Sequence, residues 1–230
     1  SNITSGGYAV IGNSELKPET SNGFEIGANY ASGDLAGSLT LFHNQSKNFI
    51  EQYTTTTNLF SFRGSPGSLF TYRNRNNVEI SGVEAKVRKE LANGFFAHAS
   101  LAYAYGKDTD TNEFIRTVAP FKSVLGVGYE QDTWGTEFTG VFSSGMRDDK
   151  VANTFDAPGY GVFNLSGWWE PEQTKGLRIQ AGIYNLFDRK YWNAVGVRDI
   201  NPNTASTVNQ PVDFYSEAGR TFKISLTQKF

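Results

Sequence analysis

Gly219-Arg-Thr-Phe-Lys-Ile-Ser-Leu-Thr-Gln-Lys-Phe230 closes the chain, and its reading decides the fold. Phe222, Ile224, Leu226 and Phe230 fall on one face of an extended strand, and Thr221, Lys223, Ser225, Thr227 and Lys229 on the other. The alternation runs to the final residue, where soluble domains usually fray. A strand that is apolar on one side, polar on the other and aromatic at its end suits the closing strand of an outer-membrane β-barrel. That reading sets the solvent on each face before any function is considered.

Composition narrows the classes further. The 230 residues carry a formal net charge of -2 and 38% hydrophobic content, figures that a soluble β-sandwich also satisfies. Cysteine is absent, which excludes a disulfide framework and thiolate metal sites. The near-neutral charge argues against a nucleic-acid partner. Aromatics reach 14% and glycines number 24, a mixture suited to strands and tight turns. No apolar run approaches the roughly 18 residues of a membrane helix. The best stretch, Phe95 to Tyr105, alternates and contains His98 and Ser100. A membrane reading therefore requires a closed barrel, which satisfies every backbone polar group in lipid. No signal peptide opens the sequence at Ser1, so the chain is expected to begin inside a mature protein.

Period-two segments recur along the chain, as in Phe24, Ile26, Ala28 and Tyr30, or Val83, Ala85 and Val87. Four connections are short: 31–34, 91–94, 130–135 and 170–176. They alternate with longer polar ones near 54–68, 107–119, 145–158 and 193–217. Short turns at one end and long loops at the other are the layout of a membrane barrel. Tyr30, Phe95, Tyr129, Trp134, Trp169 and Phe230 flank the short turns or the terminus and form one interfacial girdle, with Lys89 placed to snorkel. About nine strands result. Single-chain bacterial barrels have even counts, so residues 1–230 are expected to be the C-terminal portion of a larger all-β, antiparallel up-and-down transmembrane barrel.

Four motifs carry a family resemblance. Asn13-Ser-Glu-Leu-Lys-Pro-Glu-Thr-Ser21 precedes Gly23-Phe-Glu-Ile-Gly27; Asn77-Val-Glu-Ile-Ser-Gly-Val-Glu84 follows; Tyr184-Asn-Leu-Phe-Asp-Arg-Lys-Tyr-Trp192 comes near the end; Ala218-Gly-Arg220 precedes the last strand. In this order and spacing they resemble TonB-dependent outer-membrane receptors. Tyr191-Trp192 and Val197-Arg-Asp199 resemble the haem, haemoglobin and transferrin/lactoferrin branch most; siderophore receptors share most of these features. The resemblance implies a 22-stranded barrel closed by an N-terminal plug domain, in the outer membrane of a Gram-negative bacterium. It also implies import of haem or a ferric chelate driven by the TonB-ExbB-ExbD complex. Plug, TonB box and earlier strands do not occur in this sequence, so the function is that of a longer receptor. A passive porin and a barrel enzyme are the other membrane classes; the motifs and the odd strand count speak against both.

Candidate residues follow. For ligand contact in extracellular loops they are Tyr8, Arg63, Tyr72, Arg73 and Arg75, because Arg and aromatics anchor interfaces. In haem receptors of this resemblance the barrel-side axial His lies just before the Leu-Lys-Pro-Glu segment; Ser1 to Gly12 holds Tyr8 and no His. His98 reads as a polar lumen residue and His43 as a rim residue. Glu25, Glu84, Lys86, Arg88, Lys122, Glu137 and Arg178 are expected to face the lumen and hold the plug. Asp148-Asp149 and Lys107-Asp-Thr-Asp110 read as solvated loop charge, not as a Ca²⁺ site. No catalytic constellation, resident metal or intrinsic cofactor is read. Phe222, Ile224, Leu226 and Phe230 are assigned as the signal for the barrel-assembly machinery, and the remaining partners are membrane lipid and a host haemoprotein or haemophore.

Overall fold

Nine long strands are joined in sequence order into one curved antiparallel sheet. The computed structural model describes residues 2–3, 8–62, 65–147, 154–198, 200 and 212–229. After the short strands β1 (Asn2–Ile3) and β2 (Tyr8–Val10) come β3 (Thr20–Ser32), β4 (Leu35–Phe62), β5 (Ser65–Glu90) and β6 (Phe95–Asp108). These are followed by β7 (Lys122–Glu130), β8 (Trp134–Ser143), β9 (Tyr160–Trp169), β10 (Leu177–Tyr184) and β11 (Thr221–Gln228). From β3 to β11 each strand pairs antiparallel with the next, the up-and-down order expected. Only β2 departs from this: it lies parallel to β5, with Ala9 opposite Leu69.

Register fixes the two faces across the whole wall. Phe222 opposes Ile183, which opposes Leu165, which opposes Phe138, which opposes Val127, which opposes Ala97. The other row runs from Lys223 through Gly182, Ser166, Glu137 and Gly128 to Phe96. One face is therefore apolar and the other polar and glycine-rich. The apolar face has nothing packed on it: Ile224 is 74% exposed, Phe222 70% and Leu226 68%. In water such a surface would be prohibitive. In a bilayer the lipid tails cover it, and only the backbone ladder must be satisfied internally.

The short turns sit where the sequence put them. Asn93 and Gly94 take left-handed φ values of 61° and 83° to close the 91–94 turn, which is the hairpin geometry those residues favour. The girdle is continuous: Phe95 meets Tyr129 with centroids at 4.8 Å, Tyr129 meets Trp134 at 5.2 Å, and Trp134 pairs with Trp169. Phe230 lies outside the described residues. Lys89 does not snorkel freely; its ammonium is paired with Asp34 in the adjacent turn.

Two expectations change at the opposite end. The second long connection, read as a loop near 54–68, is an extension of β4 and β5, paired from Phe49↔Arg75 to Phe62↔Ser65. The threonine run Thr54 to Thr57 has the β-branched side chains that favour a strand. Asp108 is not solvated loop charge: it is 4% exposed and ion-paired. Most buried side chains lie at this end, among them Val78, Ile115 and the cluster Ala157, Ala194 and Val197, packed against Met146, Phe155 and Trp192.

Candidate functional site

The polar face is built so that bulk lies flat against the wall. Phe42 is paired with Gly82, Phe96 with Gly128, His98 with Gly126 and Trp168 with Gly135. In each pair a Cβ on the glycine would collide with the large side chain. The glycine leaves a slot on the neighbouring strand, and the ring fills it without projecting inward. His98 crosses Gly126 in this way and bonds through Nε2 to Glu137 on β8. The Arg88 guanidinium rests 3.9 Å from the Phe96 centroid and pairs with Glu90 and Glu130; Arg178 sits 4.2 Å over Trp168 and pairs with Glu170. Arg88, Glu130, Glu137 and Arg178, with Lys223 and Gln180, line a concave recess of about 800 Å³ near the short turns. The wall thus presents charged, hydrogen-bonding groups around an open volume.

At the other end the Leu-Lys-Pro-Glu-Thr segment is strapped to the β4–β5 extension. Asn74 accepts from the Lys17 N–H (2.8 Å) and donates to the Lys17 carbonyl (3.0 Å) and the Asn48 carbonyl (2.6 Å). Glu19 accepts from the Ile50 N–H at 3.0 Å, and Asn13 donates to the Tyr72 carbonyl at 2.9 Å. Asn48 takes φ 55°, a conformation Asn tolerates better than most residues. The motif therefore sets where β3 enters the wall.

Beside it Arg75 joins three segments. Its guanidinium bonds Glu51 at 2.7 Å, Asp108 at 3.2 Å and Glu113 at 3.3 Å. Burial alone would lower its pKa, but Glu51, Asp108 and Glu113 outweigh it and hold the group above its ordinary value. Asp108 lies above the membrane crossing, which β6 completes by about Tyr105 at roughly 25 Å from Phe95, given ~3.3 Å per residue and a ~40° tilt. Burial would raise the Asp108 carboxyl, yet the Thr111 and Asp110 amides and Arg75 hold it below the usual range.

The Asn-Leu-Phe-Asp motif forms a second tie. Asn185 is 4% exposed at φ 54°. Its amide donates to the Arg189 carbonyl (2.7 Å) and the Ala218 carbonyl (3.3 Å) and accepts from the Arg189 N–H (2.8 Å). Asp188, at φ 55°, accepts from the Arg220 N–H at 2.7 Å. The connection between β10 and β11 is thereby closed onto the Ala-Gly-Arg that opens the last strand. Tyr191 from the same motif packs on Tyr160 with centroids at 4.5 Å. Burial, then the Glu217 charge, raises the hydroxyl of Tyr191, which lies in the connection beyond β10.

The ligand candidates separate. Arg73 and Arg75 converge on Glu51, with Arg73 at 46% side-chain exposure and Arg75 at 17%. Tyr72 is 46% exposed beside them. Tyr8 begins β2 on the edge of β5, and Arg63 lies outside the described residues. Neither histidine reaches this group: His43 is on the apolar face, bonded to Ser81 at 2.8 Å and packed on Phe24, and His98 is in the lumen wall. Glu25, Glu84, Lys86, Arg88, Lys122, Glu137 and Arg178 share the polar face as expected. Asp148 and Asp149 lie outside the described residues. The sequence reading missed Asn74, Asn48 and Glu51. Their partners are 20 to 60 residues away, and no short-range pattern marks them.

The chain is 30% identical to a ferric enterobactin receptor of Pseudomonas aeruginosa, across 95% of this chain and 30% of that protein. It is 24% identical to a probable haemoglobin and haemoglobin-haptoglobin-binding protein of Haemophilus influenzae, across 95% of this chain and 25% of that one. Its fold superposes on a copper transporter with a TM-score of 0.74 at 22% identity, covering 94% of this chain and 32% of the other. The chain thus spans about a quarter to a third of the length of these proteins. The family model described as TonB-dependent receptor-like, beta-barrel, matches residues 1–186, and the chain belongs to that family.

Proposed function

We propose that residues 1–230 are the C-terminal portion of the barrel of an outer-membrane importer of an iron-carrying ligand, energised through TonB. The single observation behind this is the two-faced wall: a lipid-facing apolar surface on one side and a glycine-slotted, charged concave surface on the other. Such a lumen suits a plug held by ion pairs and water. Arg88, Glu137, Arg178 and Lys223 are the plug contacts in this reading. The remainder of a 22-stranded barrel, the plug and the TonB box belong to the rest of the receptor. Ligand meets the extracellular rim at Tyr72 and Arg73, with Tyr8 and Arg63 in the adjoining segments and Arg75 as their buttress. Phe222, Ile224, Leu226 and Phe230 serve the barrel-assembly machinery.

The ligand is a ferric chelate or haem. The relative named as a ferric enterobactin receptor supports the chelate; of this chain's two histidines, His43 bonds Ser81 on the apolar face and His98 bonds Glu137 in the lumen. The relative named for haemoglobin binding supports haem, with Tyr8 as the candidate ligand in this chain and a haemoprotein as the partner. Titration of the full-length receptor in detergent decides. Quenching of tryptophan fluorescence by a ferric siderophore without a Soret change supports the chelate, and a saturable Soret shift supports haem. Binding of neither, with no iron-dependent uptake in cells, would overturn the importer reading.

A further inference from the structure

Arg147 is held in a position that the iron-import reading does not use. It follows β8, and its guanidinium lies over three aromatic rings: Tyr105 at 4.9 Å, Phe114 at 5.4 Å and Tyr103 at 5.5 Å from the centroids. It also donates to the Tyr103 hydroxyl at 3.3 Å, and Phe114 stands edge-on to Tyr105 at 5.3 Å. Tyr103 and Tyr105 belong to the lipid-facing row of β6, opposite Val83 and Ser81 of β5. They are 39% and 37% exposed.

Height matters as much as face. Tyr105 stands about 25 Å above the Phe95 girdle, on ~3.3 Å per residue and a ~40° tilt, which is the height of the apolar band of such barrels. Tyr103, two residues lower on the same strand, stands at about 20 Å, so the rings run from the upper edge of the apolar band to the extracellular headgroup level, and Arg147 is a cation on the lipid side there. Among the described residues no carboxylate pairs with it. Glu79, the acid of the outward row at this height, opposes Lys107 and bonds Gln45 instead. A guanidinium lying over rings still has, besides the N–H given to Tyr103, further in-plane donors for a planar or tetrahedral oxyanion.

We propose that Arg147, framed by Tyr103, Tyr105 and Phe114, is a binding site for the phosphate of an outer-leaflet glycolipid. The rings carry the sugar and acyl boundary and the guanidinium carries the phosphate. This rests on the outer-membrane reading but not on the iron ligand, whose exposed candidates Tyr72 and Arg73 are on β5; the buttressing Arg75 reaches Glu113, the neighbour of Phe114, but touches none of the groups of this site.

The test uses the full-length receptor refolded in detergent, titrated with purified diphosphoryl lipid A and followed by native mass spectrometry. Wild type is expected to bind with an affinity that falls about tenfold in Arg147→Ala, the loss of one charge-assisted contact, and only in part in Arg147→Lys. Tyr103→Phe, which keeps the ring, is expected to weaken binding less. Dephosphorylated lipid A should bind wild type as weakly as diphosphoryl lipid A binds Arg147→Ala. Millimolar inorganic phosphate should not compete, and competition at that level would point to a free-phosphate site and overturn the lipid assignment. Equal lipid A affinity in folded wild type and Arg147→Ala, each confirmed by heat-modifiable migration, would overturn the proposal. Siderophore and haem titrations of Arg147→Ala should match wild type, so a failed importer reading is told apart from a failed lipid site.

Discussion

The two ends of this wall are held together by different physics. Near the short turns the strands carry almost no buried side chains apart from Phe96; the hydrogen-bond ladder, the glycine slots and the girdle suffice because lipid covers the outside. At the extracellular end the strands outrun the membrane, and polar hubs take over: the buried Asn185, the buried Asp108 with Arg75, and the half-buried Asn74. The difference teaches that the motifs shared with other receptors can be structural ties. Leu-Lys-Pro-Glu-Thr and Asn-Leu-Phe-Asp are bound by hydrogen bonds between side chains and backbone that fix strand entry and exit.

The comparison breaks most visibly in the lipid-facing wall. Ile224→Arg should cost about 2–4 kcal/mol if the site is near the bilayer midplane, whereas Ser225→Arg on the polar face should cost little. Reversible unfolding from lipid vesicles in urea reads both. Phe230→Asp is expected to lower the yield of inserted barrel in cells, seen as loss of the heat-modifiable band; normal insertion would remove the terminal residue from the assembly signal.

A comparable loss is expected from the hub at the far end. Asn185→Ala strips three hydrogen bonds from a buried amide and leaves the Arg189 and Ala218 groups unpaired. About 2–4 kcal/mol of local stability should go, read as faster hydrogen exchange in 185–191 and 218–220 with the β6–β8 amides unchanged. Exchange that rises equally everywhere would mean the two ends are one cooperative unit. Gly126→Ala tests the slot: its Cβ collides with His98, so roughly 1–3 kcal/mol is expected. Gly12→Ala, with open space around it, should cost little.

Acid should separate the ends more gently. The folded pKa of Asp108 is depressed, so its contribution is present above the unfolded value of about 3.9 and is lost as pH falls through the folded value. Exchange protection in 108–115 should therefore fall below about pH 4 in wild type. In Asp108→Asn that protection should already be reduced at neutral pH and be flatter with acid. The smallest effect belongs to Arg73→Ala: the guanidinium is 46% exposed and its partner Glu51 keeps Arg75, so about 1 kcal/mol or less is expected. If it abolishes ligand binding while stability holds, Arg73 acts at the rim.

The wall was legible because period two is a short-range signal. The faces of β3 to β11, the tight turns and the lumen charges all follow from neighbours two residues apart. The β4–β5 extension was not, because Thr54 to Phe62 alternates poorly and its partners are set by a distant register. The polar hubs were not either. Asn185 and Asp188 stood in a motif, but only the folded chain shows that left-handed backbone and the Ala218 and Arg220 contacts explain them. Arg73 and Arg75 looked equivalent in sequence because nothing local marks Glu51, Asp108 or Glu113 as partners; in the fold they divide into an exposed residue and a buttressing one.

One measurement addresses the two-faced wall directly. This chain contains no cysteine, so single cysteines at 222 through 227 can be labelled with an environment-sensitive maleimide in the full-length receptor in vesicles, any cysteine elsewhere in that receptor being replaced first. The account predicts strong quenching by a lipid-phase quencher at 222, 224 and 226 and weak quenching at 223, 225 and 227. Quenching that lacks this period of two, or shows it inverted, would contradict the barrel on which every other statement rests.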